Sequence, residues 1–275
     1  LARRISFPRI GAALERGHLD ALVVTASAYT SARSVSFYQA SEEIGPWQRV
    51  RRIGRQADIT LDHLMASAAV PFLFAPERVG PEYYGDGSMR HQAPLSSAIH
   101  LGADRLLVIG VRDEHPDPEP DIDAEEKPPS LVQVAGYMLD TLFMDGIYSD
   151  IERVSRINSI LETTKLDRIP RRSGYLREID TMLIVPSEDI REIAARHVGE
   201  LPRALRTLMR GIGALNPNGM QFISYLLFES GFTSDLIELG YRDARMAEDD
   251  IRAFLYDRPV GTLDAPGYIK DQMDV

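Results

Sequence analysis

The chain holds many acids, bases and hydroxyls, but few stand in a spacing that chemistry requires. No serine lies two positions after a glycine, so the Gly-x-Ser-x-Gly elbow that presents a nucleophilic hydroxyl on a strand-to-helix turn is absent. Cysteine is absent as well, which removes thiol nucleophiles, thiolate metal sites and disulfides together. The histidines, at positions 18, 63, 91, 100, 115 and 197, show no His-Glu-x-x-His or other close metal spacing. Asp117, Glu119, Asp121 and Asp123 alternate somewhat as calcium-loop ligands do. The glycine such a loop needs is missing, however, and Pro116, Pro118 and Pro120 interrupt it, so a solvated face is the expectation. Gly211-Ile212-Gly213 runs into Asn216-Pro217-Asn218, a turn cluster and not a phosphate cradle. What remains is Asp86, in the run Tyr84-Gly85-Asp86-Gly87-Ser88.

A serine hydroxyl is a poor nucleophile until a base about 2.6–3.2 Å away takes its proton. A carboxylate can be that base once partial burial disfavours its charged form and raises its pKa. Gly87, beside it, removes side-chain bulk where another backbone must come close. Asp-Gly also has a plainer use, a turn, and on the local residues both readings stand. Ser67, Ser88, Ser96 and Ser97 lack an elbow and read as packing or capping residues. His100, near a helix end, reads as a structural partner of the helix dipole.

The elements that must position these residues show in the periodicity. Residues 7–17 read as a helix opened near Pro8 and stopped by Gly17. Residues 20–27 and 33–39 read as a hairpin, the first strand apolar enough to be covered on both faces. Residues 60–70 predict a helix capped by Thr60 or Asp62, with Leu61, Leu64, Met65 and Ala68 as its apolar stripe. A second hairpin or strand-turn is expected over 78–87, leading into Gly85-Asp86-Gly87. A helix through His100 and a buried strand over 105–111 follow, so an α/β sheet is expected. Residues 130–164 predict a long helical region interrupted near Gly146, with Met138, Leu142, Phe143 and Ile147 as a core stripe or, less simply, a lipid-access surface. One more strand is expected over 178–185, then helices broken at Gly199, Gly211–Gly219 and Gly231.

With 41 acidic and 31 basic side chains the net charge is −10, which excludes a nucleic-acid binder driven by bulk charge and favours neutral over anionic lipid surfaces unless a local patch overrides it. The 275 residues, 44% hydrophobic and 26% charged, suffice for a sizeable core. No apolar run approaches the roughly 18 residues of a membrane span. Residues 112–126 carry eight acids among alternating prolines and read as a solvated, mobile loop. Leu1 runs straight into Arg3, Arg4 and a helical pattern, from which further sequence upstream is expected.

Three stretches carry a resemblance: Ala66-Ser67-Ala68-Ala69-Val70-Pro71-Phe72-Leu73-Phe74, the run Tyr84 to Arg90, and Ala93-Pro94-Leu95-Ser96-Ser97-Ala98-Ile99-His100-Leu101-Gly102-Ala103-Asp104-Arg105. In order and spacing they resemble the second half of a patatin-like phospholipase domain, and Ser224 to Phe228 and Leu239 to Asp243 look like the helical C-terminal part of its bacterial members. The resemblance implies a three-layer α/β/α sandwich, incomplete on its N-terminal side, with a helical C-terminal extension. It implies a catalytic-domain part over 1–111, an acidic Pro-rich loop over 112–128 and a mainly helical extension over 129–275. It further implies a lipid acyl hydrolase with a Ser-Asp dyad and no cofactor, Asp86 being the base. Ser88 stands where the family more often has Gly or Ala. The nucleophile and oxyanion hole would precede Leu1, leaving this chain alone inactive, and the protein would be cytoplasmic or peripheral to a membrane. The alternative is a non-catalytic binding or scaffold protein that keeps the fold. If upstream strands belong mid-sheet, residues 21–24 and 106–109 cannot both have all their neighbours, and a second polypeptide, an upstream segment or an exposed apolar edge must result.

Overall fold

The computed structural model describes residues 5–41, 44–71, 73–90, 93–111, 131–164, 176–216 and 219–256. The expectation of a loop over 112–126 lies outside them. The described chain is mixed α/β and divides into two compact units, one reaching to Asp104 and taking in Gly146–Asp150, the other formed by the rest from Arg105 on. The strand after Asp104, expected to belong with the first part of the chain, thus falls in the second unit.

In the first unit, helix α1 (Pro8–Glu15) starts on a proline and ends before Gly17, whose φ of 68° glycine takes without strain. Strands β1 (Ala21–Ala28) and β2 (Ser34–Ala40) then pair as the expected antiparallel hairpin. Two short strands follow that the pattern does not reveal, β3 (Gln48–Arg49) and β4 (Arg52–Gln56), joined by a tight turn. Helix α2 (Leu61–Ser67) precedes β5 (Glu77–Val79) and β6 (Glu82–Asp86), and α3 (Ser96–His100) follows. The sheet order is β3-β4-β2-β1-β6-β5; β2 and β4 are parallel and every other neighbour is antiparallel.

The register sorts side chains onto two faces. Val24 opposes Phe37 and Ala26 opposes Val35 on one face, while Thr25 opposes Ser36 and Ser27 opposes Ser34 on the other. The apolar face builds a core with Ile59, Ala66 and Tyr84, against which Ile10 and Leu64 pack. Phe37 and Tyr84 are almost wholly buried there, each contributing roughly 1.5–3 kcal/mol. The hydroxyl face is satisfied by its own members: the Ser36 and Ser97 hydroxyls lie 2.8 Å apart, and Thr25 Oγ1 is 3.3 Å from that of Ser36. On this side the Trp47 ring stacks between Tyr38 and His100, centroids 5.0 and 5.1 Å away.

α2 corrects the expected stripe. Its buried residues are His63 and Ala66, while Met65 is exposed. The His63 ring fits because Nδ1 accepts the Thr60 backbone N–H at 3.1 Å and its edge meets the Phe37 ring.

In the second unit, β7 (Arg105–Ile109) and β8 (Asp180–Ile184) form a two-stranded parallel ribbon. The continuously buried strand expected over 105–111 is corrected: Leu106 and Val108 are buried, but Leu107 and Ile109 are exposed. Helix α4 (Leu131–Thr164) runs on without the break expected at Gly146, since one glycine costs a helix only about 1 kcal/mol. Helices α5 (Ile190–His197), α6 (Arg203–Gly211), α7 (Met220–Ser224), α8 (Ser230–Met246) and α9 (Glu248–Leu255) follow. Their core joins Val132, Ile193, Leu201, Met209, Ile223, Leu227, Phe232 and Leu239. Gly231 does not break a helix as expected; it lies in the first turn of α8, where the Glu200 carboxylate occupies the space a Cβ would take.

Candidate functional site around Asp86

Asp86 is the last residue of β6, and the turn of the hairpin that ends there falls at Gly80 and Pro81, not at Gly85-Asp86-Gly87. Pairing with Ala26 of β1 puts its side chain on the face of the sheet that also carries Tyr84 and the apolar core. Its backbone N–H donates to Ala69 O at 2.9 Å, which ties the strand end to the segment leaving α2. The carboxyl is buried, with the residue 7% exposed. That is an unusual place for an acid, and among the described residues no cation pairs with it.

Gly87 opens a 3-10 turn over Gly87–Arg90. A Cβ at Gly87 would overlap the backbone carbonyl oxygen of Thr25, so only glycine lets the chain pass so near β1. The Gly87 carbonyl in turn accepts the Ser27 hydroxyl at 3.2 Å. Gly85 is likewise covered, by the Tyr29 ring. Asp86 is therefore followed by a position where the Thr25 backbone admits no side chain, and preceded by one that the Tyr29 ring covers.

Two hydrogen bonds reach the carboxylate, both on Oδ1: the Ser88 backbone N–H at 2.9 Å and the Ser88 hydroxyl at 2.6 Å. Among the described residues none donates to Oδ2. Burial raises the Asp86 pKa above the ordinary aspartate value, and the Ser88 hydrogen bonds offset part of that rise. Chemically this is a carboxylate of enhanced basicity, with one oxygen engaged and the other able to accept a proton.

No protein-family model, curated protein or solved structure matches the chain. The reading of this site therefore rests on its own geometry.

Sequence reasoning treated Ser88 as a capping residue and as a mild departure from a family pattern; it is Asp86's principal partner. The signal was available, because Asp-x-Ser is the spacing at which a carboxylate bonds the backbone and hydroxyl two residues on. Ser97 sits on the opposite face, bonded to Ser36. His100 stacks on Trp47, in keeping with a structural role. Among the described residues no group of His, Asp and Glu is placed to hold a metal ion, and no helix is long and apolar enough to cross a membrane.

Proposed function

We propose that this chain is the C-terminal portion of a patatin-like serine acyl hydrolase, acting on lipid or other carboxylic esters, with Asp86 as the general base. The nucleophilic hydroxyl and the oxyanion donors are supplied from outside these 275 residues. The observation that carries the reading is the Asp86 carboxyl itself: buried, raised in pKa with no paired cation among the described residues, and fixed at a strand end by an obligate glycine. In the proposed reaction Asp86 takes the proton of the serine hydroxyl as its oxygen attacks the ester carbonyl. It returns that proton to the leaving alcohol, then removes one from the water that attacks the acyl-enzyme and passes it to the departing serine oxygen, which frees the acid and restores the hydroxyl.

Ser88 favours a second reading. Its hydroxyl and N–H both cap Oδ1, as in a carboxylate that serves only to start a 3-10 turn, and a non-catalytic scaffold would need no more than that. A fluorophosphonate probe separates the two. Full-length protein carrying the upstream nucleophile is expected to be labelled, with labelling abolished in Asp86→Asn and retained in Ser88→Ala. Labelling indifferent to Asp86→Asn refutes Asp86 as the base, and labelling absent from the full-length protein leaves the scaffold.

A further inference from the structure

We infer that the turn end of the six-stranded sheet, an arginine-lined surface tipped by Val50, docks on an anionic lipid membrane. The topology gathers this surface from separate parts of the chain. The β1–β2, β3–β4 and β5–β6 turns all emerge at one end of the sheet, because β1 and β2 meet at Ser27 and Ser34, β3 and β4 at Arg49 and Arg52, and β5 and β6 at Val79 and Glu82. The Ser34 N–H donates to Arg51 O at 2.8 Å and the Tyr29 N–H to Tyr83 O at 3.0 Å, so the turns lie side by side.

That end carries Arg33, Arg49, Arg51, Arg52 and Arg78, with Glu82 as the nearby acid. Glu82 already accepts the Ser31 backbone N–H at 2.6 Å. Among the described residues no carboxylate pairs with any of these arginines, and Nη1 of Arg52 is buried without an acceptor. In a chain of net charge −10 such a patch is a local inversion.

The hairpin also works against its own stability. Arg49 and Arg52 are directly opposed across strands, a like-charge pair. Arg51 adopts a left-handed conformation, φ 62°, that a glycine would take freely. At the tip Val50 is 89% exposed, flanked by these cations, while farther along the same end of the sheet Tyr29, in the β1–β2 turn, and Tyr83, on β6, are exposed. An apolar tip with interfacial tyrosines and arginines suits the headgroup layer of a bilayer, where the valine leaves water and the guanidiniums meet phosphates. A nucleic-acid backbone would match the charge but offer nothing to Val50.

The inference stands apart from the hydrolase proposal, since it concerns adsorption without turnover. The test is co-sedimentation with large vesicles of phosphatidylcholine, with and without 30% phosphatidylserine (about one lipid in three, enough to set the surface potential). Preferential binding to the anionic vesicles, weakened by salt, is expected. Removing Arg49 and Arg51 should cost about fivefold each, and Val50→Asp should weaken binding further. The double variant Arg49→Gln with Arg51→Gly removes both charges while relieving the backbone at position 51, so loss of binding cannot be ascribed to misfolding. Equal binding to both vesicle types, undiminished binding by the double variant, or tighter binding to duplex DNA that the neutral Val50→Thr leaves unchanged would each overturn the inference.

Discussion

Replacing Gly87 by alanine tests the geometry on which the Asp86 site depends. The added methyl would sit inside the van der Waals radius of the Thr25 carbonyl oxygen, which is backbone in a central strand and cannot rotate aside. Relief requires β1 and the start of the 3-10 turn to separate by on the order of 1 Å, with overpacking of this kind costing about 1–3 kcal/mol. The same movement lengthens the Ser27 hydroxyl bond to Gly87 O, a buried hydrogen bond worth about 1 kcal/mol. Trp47 is the chain's single tryptophan and lies in the first unit, so its fluorescence reports unfolding of that unit alone. With a urea m-value of about 2 kcal/mol/M, the midpoint should fall by about 0.5–1.5 M. Gly45→Ala, where nothing lies within 4 Å of the new methyl, is the matched control and should leave the midpoint nearly unchanged. A Gly87→Ala midpoint equal to that of the control would show that the close approach of β1 to Gly87 is wrong, and with it the fixed placement of Asp86.

Two further predictions concern titration. Because burial raises the Asp86 pKa in the folded chain, the native state holds its proton more tightly than the unfolded one, and stability falls as pH rises from the ordinary aspartate value through the raised one. Asp86→Asn should therefore match wild type near pH 3.5, below the ordinary aspartate pKa of about 3.9, and exceed it at neutral pH in Trp47-monitored urea unfolding; a variant weaker at neutral pH would refute the penalty. In the second unit, His197 bridges Glu200 through Nδ1 at 2.6 Å and Asp235 through Nε2 at 2.7 Å, and both nitrogens can donate only in the imidazolium form. Hydrogen bonds to Glu200 and then Asp235 raise the His197 pKa, while the bond from His197 lowers that of Glu200. The histidine contribution is thus complete below its ordinary value of 6.5 and lost as pH rises through the raised value, while the glutamate contribution is complete above its ordinary value of 4.5. Protection factors for amide exchange in α8, corrected for the intrinsic pH dependence, should be highest between those limits and fall above them, and His197→Gln should flatten the profile.

Most regular elements could be read from the chain because their ends are punctuated: Pro8 and Gly17 bound α1, and Gly102, at φ 105°, closes α3. The β3–β4 hairpin escaped because its strands are short and built of Arg and Gln around Gly54, with no alternation to betray them. β7 misleads for the opposite reason: Leu106 to Ile109 is continuously apolar, but burial on two faces needs neighbours, and among the described residues the strand pairs with β8 alone. At the site, the type and position of Asp86 were legible whereas its burial was not. Burial follows from the pairing of Asp86 with Ala26, sixty residues earlier, a long-range register that local pattern does not encode. The partnership with Ser88 was local and could have been read.

The β7–β8 ribbon has a practical consequence. A parallel pair is seldom left without covering layers, and this one leaves Leu107 and Ile109, with Val111 just beyond its end, exposed, β8 being the partner of β7 among the described residues. Self-association at high concentration is the expected outcome of so sticky a seam, and Ile109→Lys should suppress it, as light scattering would show.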